Sequence, residues 1–278
     1  MNAPALLLYG LAFLPGIASA AHAVSEQRAW TDTYAVSAAV PRLEVSNIRG
    51  SVRVRAGRPG RITVAVTERR SAPDRARFER SLATLTLAVD ADASGVSLRV
   101  GNRAARGQRS NDCRGCRVDY QFDIEVPPQA ELDVGTVLDG KVDIEGVAGS
   151  ISASNVNGPI NLDGVGDCAA INSVNGAISM AFRRPPQQGC RIETINGDIA
   201  LGVPDGTALD IALDLFNGAV SSEFAVAPFE LPATIETIAG DGGTRYRIQQ
   251  LAGLRIGAGG PLYSITSLNG NLSVRKRQ

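Results

Sequence analysis

One five-residue unit returns seven times along this chain: an apolar residue, usually Asn, then Gly, any residue, and a β-branched or aliphatic residue. It reads Ile48-Arg49-Gly50-Ser51-Val52, Leu138-Asp139-Gly140-Lys141-Val142 and Val156-Asn157-Gly158-Pro159-Ile160. It returns as Val174-Asn175-Gly176-Ala177-Ile178, Ile195-Asn196-Gly197-Asp198-Ile199, Phe216-Asn217-Gly218-Ala219-Val220 and Leu268-Asn269-Gly270-Asn271-Leu272. From Gly140 to Gly218 the glycines step by 18, 18, 21 and 21 residues. A period of this size marks units that bury their apolar faces by stacking on one another.

Behind each Gly the second residue is Val142, Ile160, Ile178, Ile199 and Val220, and the fourth is Ile144, Leu162, Met180, Leu201, then Ser222. Polar or small residues lie between them, so the pattern is in-out-in. Five residues before the Gly comes a second column: Ala153, Ile171, Ile192 and Leu213. Two strands per unit predict an all-β fold, a β-solenoid of stacked 18–21-residue rungs. Its Asn-Gly corners call for positive φ, which Gly takes freely and Asn tolerates. An antiparallel meander is the competing arrangement, because Asn-Gly is also a strong hairpin signal. The identical columns favour the solenoid. The apolar residues do not recur every six, which sets aside a hexapeptide helix.

The expected layout has three parts. Residues 1–23 read as a signal peptide: Leu6–Leu14 is an apolar run too short to span a bilayer, and Ala18-Ser19-Ala20 fits a cleavage site. Residues 24–130 read as a β-rich part with one short helix near 73–85, capped by Ser71 with Pro73 in its first turn. Residues 131–278 hold the repeats, with an interruption near 224–250. No later stretch is long and apolar enough for a membrane helix.

Export changes the meaning of the four cysteines, Cys113, Cys116, Cys168 and Cys190. An even count in an oxidising compartment favours disulfides. Cys168 and Cys190 fall on adjacent rungs, about 4.8 Å apart, and Cys113 would pair with Cys116. A redox CxxC would open an amphipathic helix, and a zinc site would need a second ligand pair; the sequence has neither. The only histidine is His22, so His-based catalysis and His-ligated metals are excluded from the mature chain. No cofactor or metal is expected.

The opening Leu43-Glu-Val-Ser-Asn-Ile-Arg-Gly-Ser-Val-Arg-Val, the Ile124-Glu-Val-Pro-Pro strand end, the Val-Asn-Gly units and the closing Ser-Leu-Asn-Gly-Asn-Leu-Ser-Val resemble the bacterial "putative adhesin" family. The resemblance covers most of residues 40–275. It implies an exported or membrane-tethered β-solenoid of unknown function and brings no catalytic residue.

Formal charge is zero but segregated. Residues 1–117 carry 18 Arg against 9 acidic groups, residues 118–243 carry 4 basic against 19 acidic, and residues 244–278 carry 6 basic and none acidic. The ends would either pair with the middle or present a basic face to anions. Arg53, Arg55, Arg58 and Arg61 are the candidate anion-binding residues, with anionic envelope polymers or another surface protein as partner. No nucleic-acid partner is expected. A polar column, Asp143, Asn161, Ser179 and Ser221, has one carboxylate, which is poor for polysaccharide cleavage. Phe216 and Tyr263 are isolated aromatics, Trp30 anchors the leading strand or an interface, and Asp205-Gly206 reads as a plain turn. The expected function is a non-enzymatic envelope or surface module. A polysaccharide-acting enzyme and a self-assembling fibre subunit are the alternatives, and the oligomeric state is open.

Overall fold

The computed structural model describes residues 23–102, 113–231, 234–240, 243–249 and 252–277. Residues 1–22 of the expected leader lie outside the described residues. Among the described residues the chain forms β1 (Val24–Ala35), β2 (Arg42–Ser46), β3 (Val52–Ala56), β4 (Arg61–Ala72), the helix α1 (Arg75–Thr84), β5 (Leu85–Asp92), β6 (Gly95–Asn102), β7 (Arg117–Val126) and β8 (Glu131–Thr136). It continues as β9 (Val142–Glu145), β10 (Ile151–Asn157), β11 (Ile160–Val165), β12 (Ala170–Asn175), β13 (Ile178–Phe182), β14 (Cys190–Asn196), β15 (Ile199–Pro204), β16 (Leu209–Asn217) and β17 (Val220–Ser222). The rest are β18 (Val226–Glu230), β19 (Thr234–Gly240), β20 (Gly243–Gln249), β21 (Ala252–Ile256), β22 (Leu262–Asn269) and β23 (Leu272–Arg277).

Two large mixed sheets share one core, and neither closes into a barrel. Sheet A runs β1-β4-β7-β3-β9-β11-β13-β15-β23-β17, and sheet B runs β18-β21-β16-β22-β14-β12-β10-β8-β2-β6-β5. From β8 to β17 successive strands alternate between the sheets, as do β2 and β3, and β22 and β23. Every Asn-Gly-type unit therefore joins a strand of sheet B to one of sheet A, and none closes an antiparallel hairpin. We call each such two-strand step a layer.

Layers pair in parallel, like residue on like: Ile160 lies beside Val142 and Ile178, and Ile171 beside Ala153 and Ile192. The columns seen in the sequence are buried, with Val142, Ile160, Ile178, Ile171 and Ile192 all 0% exposed. Each such side chain contributes about 1.5–3 kcal/mol by leaving water. Val220 departs from this. It is 38% exposed because β17 is the last strand of sheet A and lacks a neighbour on one side.

The order of layers in space is not their order in the chain. The C-terminal layer β22–β23 lies between β14–β15 and β16–β17: β22 pairs with both β14 and β16, and β23 with both β15 and β17. Arg275, Lys276 and Arg277 pair with Gly202, Val203 and Pro204 of β15 and run past the end of β17, whose pairing with β23 stops at Val274. The interruption near 224–250 becomes β18, which pairs antiparallel with β21, and a separate two-stranded hairpin, β19–β20.

The expected boundary at 130/131 falls within the sheets, since β2 pairs with β8 and β3 with β9. The helix is capped by Asp74, not Ser71: its carboxylate accepts from the Arg77 N–H at 2.8 Å. Phe78 is buried, and α1 packs on β4 and β5, bridging the two sheets at this end. Arg70, 4% exposed, fastens it by donating to Glu68 at 2.7 Å, the Leu85 carbonyl at 2.7 Å and the Ser81 hydroxyl at 3.1 Å. No helix among the described residues is long and apolar enough to cross a membrane.

Candidate binding face

The corners build the face. At each one the chain leaves sheet B and enters sheet A, and at all but the first, where Gly50 meets the Tyr120 carbonyl, the corner glycine lies directly against the neighbouring layer's corner. A Cβ on Gly140 would stand 2.1 Å from the Gly50 carbonyl oxygen, on Gly158 1.9 Å from that of Gly140, and on Gly176 2.1 Å from that of Gly158. The series runs on from Gly197 to Gly176, Gly270 to Gly197 and Gly218 to Gly270. Close approach of backbones, more than handedness, is thus why these positions are glycine. Gly50, Gly158, Gly197 and Gly270 have positive φ, but Gly140, Gly176 and Gly218 do not. No corner Asn does either; the single non-Gly case among the described residues is Asp139 at φ 51°.

The corner asparagines form a ladder. The Nδ2 of Asn175 donates to Oδ1 of Asn157 at 3.1 Å, Asn196 to Asn175, Asn269 to Asn196 and Asn217 to Asn269, each of these three at 2.9 Å. Inside the corner a buried polar column holds the glycine carbonyls. Asn47 donates to the Gly50 carbonyl at 3.0 Å, Thr136 to the same carbonyl at 2.9 Å, Asn155 to that of Gly140 at 3.0 Å and Ser173 to that of Gly176 at 3.1 Å.

The residue before each corner, or its neighbour Val137 in β8's layer, points outward. With Asn157 opposite Asn175, Asn175 opposite Asn196, and Asn196 and Asn217 both opposite Asn269, the registers line these residues up. The result is one apolar stripe across seven layers: Ile48, Val137, Val156, Val174, Ile195, Leu268 and Phe216. Ile195 and Leu268 are each 45% exposed and Phe216 is 77% exposed. A parallel row two residues earlier, Asn172, Glu193, Thr266 and Asp214, makes a polar wall. Between wall and stripe runs a groove of about 700 Å³ floored by Ser173, Thr194 and Ser267. A smaller hollow of about 180 Å³ lies at the other end, lined by Ile48, Leu138, Leu85, Val100, Val118 and Arg117 among others.

Phe216 is therefore not isolated but ends the stripe. Tyr263 is fully buried, edge-on to Phe182 at 5.9 Å, and burial pushes its phenol well above the ordinary range. Trp30 is half-buried and packs on the core from β1.

The charged ends pair with the acidic middle because the first and last layers stack against it. Arg55 meets Asp123 at 2.9 Å, Arg277 Asp163 at 3.0 Å, Lys276 Asp205 at 2.9 Å, and Arg49 bonds Asp139. Arg53 lies in register between Asp123 and Asp143. Of the four candidate anion-binding arginines, two thus have carboxylates beside them. Arg58 and Arg61 are exposed at the turn after β3 with no ion pair among the described residues.

In the expected polar column, Asp143 accepts from Asn161 at 2.8 Å and pairs with Lys141 at 2.7 Å. Burial pulls its pKa up, but those two partners outweigh it and hold the carboxyl below its ordinary value. Ser221 is separated from Ser179 by Ala200 and Ser273, the inserted layer's residue. Pairing of strands also brings Glu145 opposite Asp163, a juxtaposition that the spacing did not reveal. Both are exposed, neither lines the groove, and Asp163 is held by Arg277. Nothing there supplies the desolvation that tunes a general acid.

Cys113 is joined to Cys116 and Cys168 to Cys190, with Cα separations of 5.3 and 5.4 Å. No metal-ligating cluster occurs among the described residues.

No family model and no curated protein matches the chain. Among solved structures it is similar to a "putative cell adhesion protein" from Clostridium sporogenes, at TM-score 0.36 and 9% identity, covering 90% of this chain and 100% of that one. It is also similar to a "putative adhesin" from Bacteroides fragilis, at TM-score 0.27 and 9% identity, covering 90% and 97%. Likeness at this level carries no argument about fold or function, which rest here on the chain's own geometry.

Proposed function

We propose that this chain is an exported, non-enzymatic surface module of adhesin type. In this reading its layers are the rungs of a β-solenoid, and it binds another macromolecule through the outward face of sheet B. The observation that carries the reading is the uncharged stripe from Ile48 to Phe216. Soluble proteins rarely leave so continuous an apolar strip uncovered unless it meets a partner. The two disulfides fit an oxidising compartment outside the cytoplasm. A face of this kind makes contact without chemistry. The corner ladder and the polar column beneath it keep the stripe rigid, so little order is lost on binding.

Beads coated with the protein test this. They should adhere to surfaces coated with peptidoglycan, with lipopolysaccharide or with the protein itself, and adhesion should persist at high salt. Phe216→Ser and Ile195→Ser should each reduce it while leaving the circular dichroism unchanged. Equal adhesion of wild type and both variants to every surface would overturn the reading. Adhesion lost in salt, and lost in Arg58→Ser with Arg61→Ser, would move the site to the β3–β4 turn.

A further inference from the structure

We infer that Asn217 is a site of spontaneous deamidation and isoaspartate formation, and that stacking of the layers shields the other corner asparagines from the same reaction.

An Asn-Gly pair is prone to this chemistry because glycine has no Cβ to crowd its own nitrogen. The Gly nitrogen loses its proton and bonds to the Cγ of the preceding Asn, and Nδ2 leaves as ammonia. Water then opens the five-membered imide. Attack at Cγ gives aspartate. Attack at the main-chain carbonyl carbon gives isoaspartate, in which the main chain runs through the side chain's methylene. No oxidant or reductant takes part. The protein must supply a Gly N–H that can lose its proton and a carboxamide that can turn onto it. A hydrogen-bonded N–H gives up its proton only when the structure opens locally.

The chain has five Asn-Gly pairs, each at a corner. In four of them the Gly N–H is bonded across to the neighbouring layer: Gly158 to the Asn175 carbonyl, Gly176 to Asn196, Gly197 to Asn269 and Gly270 to Asn217, all at 2.9 Å. The carboxamides of those four corners are held at both ends. Asn157 donates to the Val137 carbonyl at 3.3 Å and accepts from Asn175, and Asn175, Asn196 and Asn269 each donate to one neighbour and accept from another.

Asn217 stands where the series stops. β17 is the last strand of sheet A, so no layer stacks beyond this corner, and among the described residues the Gly218 N–H has no acceptor. The Asn217 carboxamide donates to Asn269 at 2.9 Å, and among the described residues its Oδ1 accepts nothing. Exposure does not single it out, since all five asparagines are exposed. The difference is the layer that the other four have and Asn217 lacks. Asp139, before Gly140, does not compete: its carboxylate is paired with Arg49 and Arg117, and an ionised carboxylate resists attack by nitrogen.

Isoaspartate would lengthen the main chain at the β16–β17 corner and set a new carboxylate beside Phe216. Two bonds depend on the shape of that corner, Gly270 N–H to the Asn217 carbonyl at 2.9 Å and Ala219 N–H to Asn271 Oδ1 at 3.0 Å. β17 pairs with β23 over three residues, so it is the strand that loosens.

The purified chain, aged in mildly alkaline buffer below its melting temperature and then digested, shows the site by peptide mass spectrometry with enzymatic methylation of isoaspartate. Asn217 should convert at least tenfold faster than Asn157, Asn175, Asn196 and Asn269, because two fewer hydrogen bonds must open. Isoaspartate should be the main product. In urea the five should convert at similar rates. Asn217→Gln should remove the fast site and leave the other four as slow as before. Hydrogen exchange gives an independent measure: the Gly218 amide should exchange at least tenfold faster than those of Gly158, Gly176, Gly197 and Gly270. Equal rates at all five asparagines in the folded chain overturn the inference. So does a Gly218 amide as protected as the others, or a ranking that persists in urea, which would trace the difference to local sequence rather than to stacking.

Discussion

Replacing Gly176 by alanine tests the account of the corners directly. The added Cβ would stand 2.1 Å from the Gly158 carbonyl oxygen and 2.5 Å from its carbon, both backbone atoms that cannot swing aside. Relief requires the two layers to part by about 1 Å at this corner, since carbon–oxygen contacts need at least about 3 Å. That opening stretches the Gly158 N–H to Asn175 carbonyl bond (2.9 Å), the Ile160 N–H to Ala177 carbonyl bond (3.0 Å) and the Asn175–Asn157 amide bond (3.1 Å). All three pass beyond useful length. At about 1 kcal/mol each, the loss is about 3 kcal/mol. The smaller entropy of the unfolded alanine chain returns about 0.5 kcal/mol, leaving a destabilisation of about 2–3 kcal/mol. Gly101→Ala is the control, because among the described residues a Cβ there meets nothing within 4 Å and φ is not positive. It should change stability by no more than about 0.5 kcal/mol. Urea unfolding followed by far-ultraviolet circular dichroism measures both. If Gly176→Ala and Gly101→Ala unfold at the same midpoint, the close-approach argument is wrong.

Three further expectations follow from the fold. Cys168→Ser with Cys190→Ser should cost about 3 kcal/mol, and Cys113→Ser with Cys116→Ser about half that, because the 22-residue separation closes a longer loop than the 3-residue one; urea midpoints of the two variants would rank them. Ending the chain at Gly260 removes β22 and β23, and limited proteolysis should then cut between β15 and β16 in the truncated protein but not in the intact one. Asp210 is held below its ordinary value by Arg255, and Asp143 by Asn161 and Lys141 against its burial. Lowered carboxyl values add stability that is present above about pH 4 and lost as pH falls through the folded-state values. Melting temperature should therefore be level from pH 7 to about 4 and drop below, less steeply in Asp210→Asn.

Much of the architecture could be read from the repeat. The columns Val142–Ile160–Ile178–Ile199 and Ala153–Ile171–Ile192 announce their burial, because two-residue alternation dictates which side of a strand meets the core. The position of β22–β23 could not be read. Leu268-Asn269-Gly270-Asn271-Leu272 encodes the shape of a layer, and any layer of that shape fits any neighbour; only the connection through β18–β21 decides where it goes. The stripe is encoded by the same alternation. Ile192 faces in, so Glu193 faces out, Thr194 in and Ile195 out, but a residue next to Asn-Gly reads as part of a turn. Arg70 gave no sign either, since its partners Ser81 and Leu85 come to it through the helix rather than through any spacing. Pairing of the arginine-rich start with the acidic middle followed from charge segregation. That Arg58 and Arg61 have no ion pair among the described residues depended on where strand register places the carboxylates.

The insertion of the last layer has a consequence for the order of events in folding. A chain that emerges from its N-terminus presents β16–β17 to the growing stack before β22–β23 exists. Both carry the same corner pattern, so β16–β17 can settle on β14–β15 in the place that belongs to the final residues. A chain that took that early arrangement would have to open it again before β22–β23 could reach its native place. Refolding should show a slow step that is absent once residues 209–278 are removed.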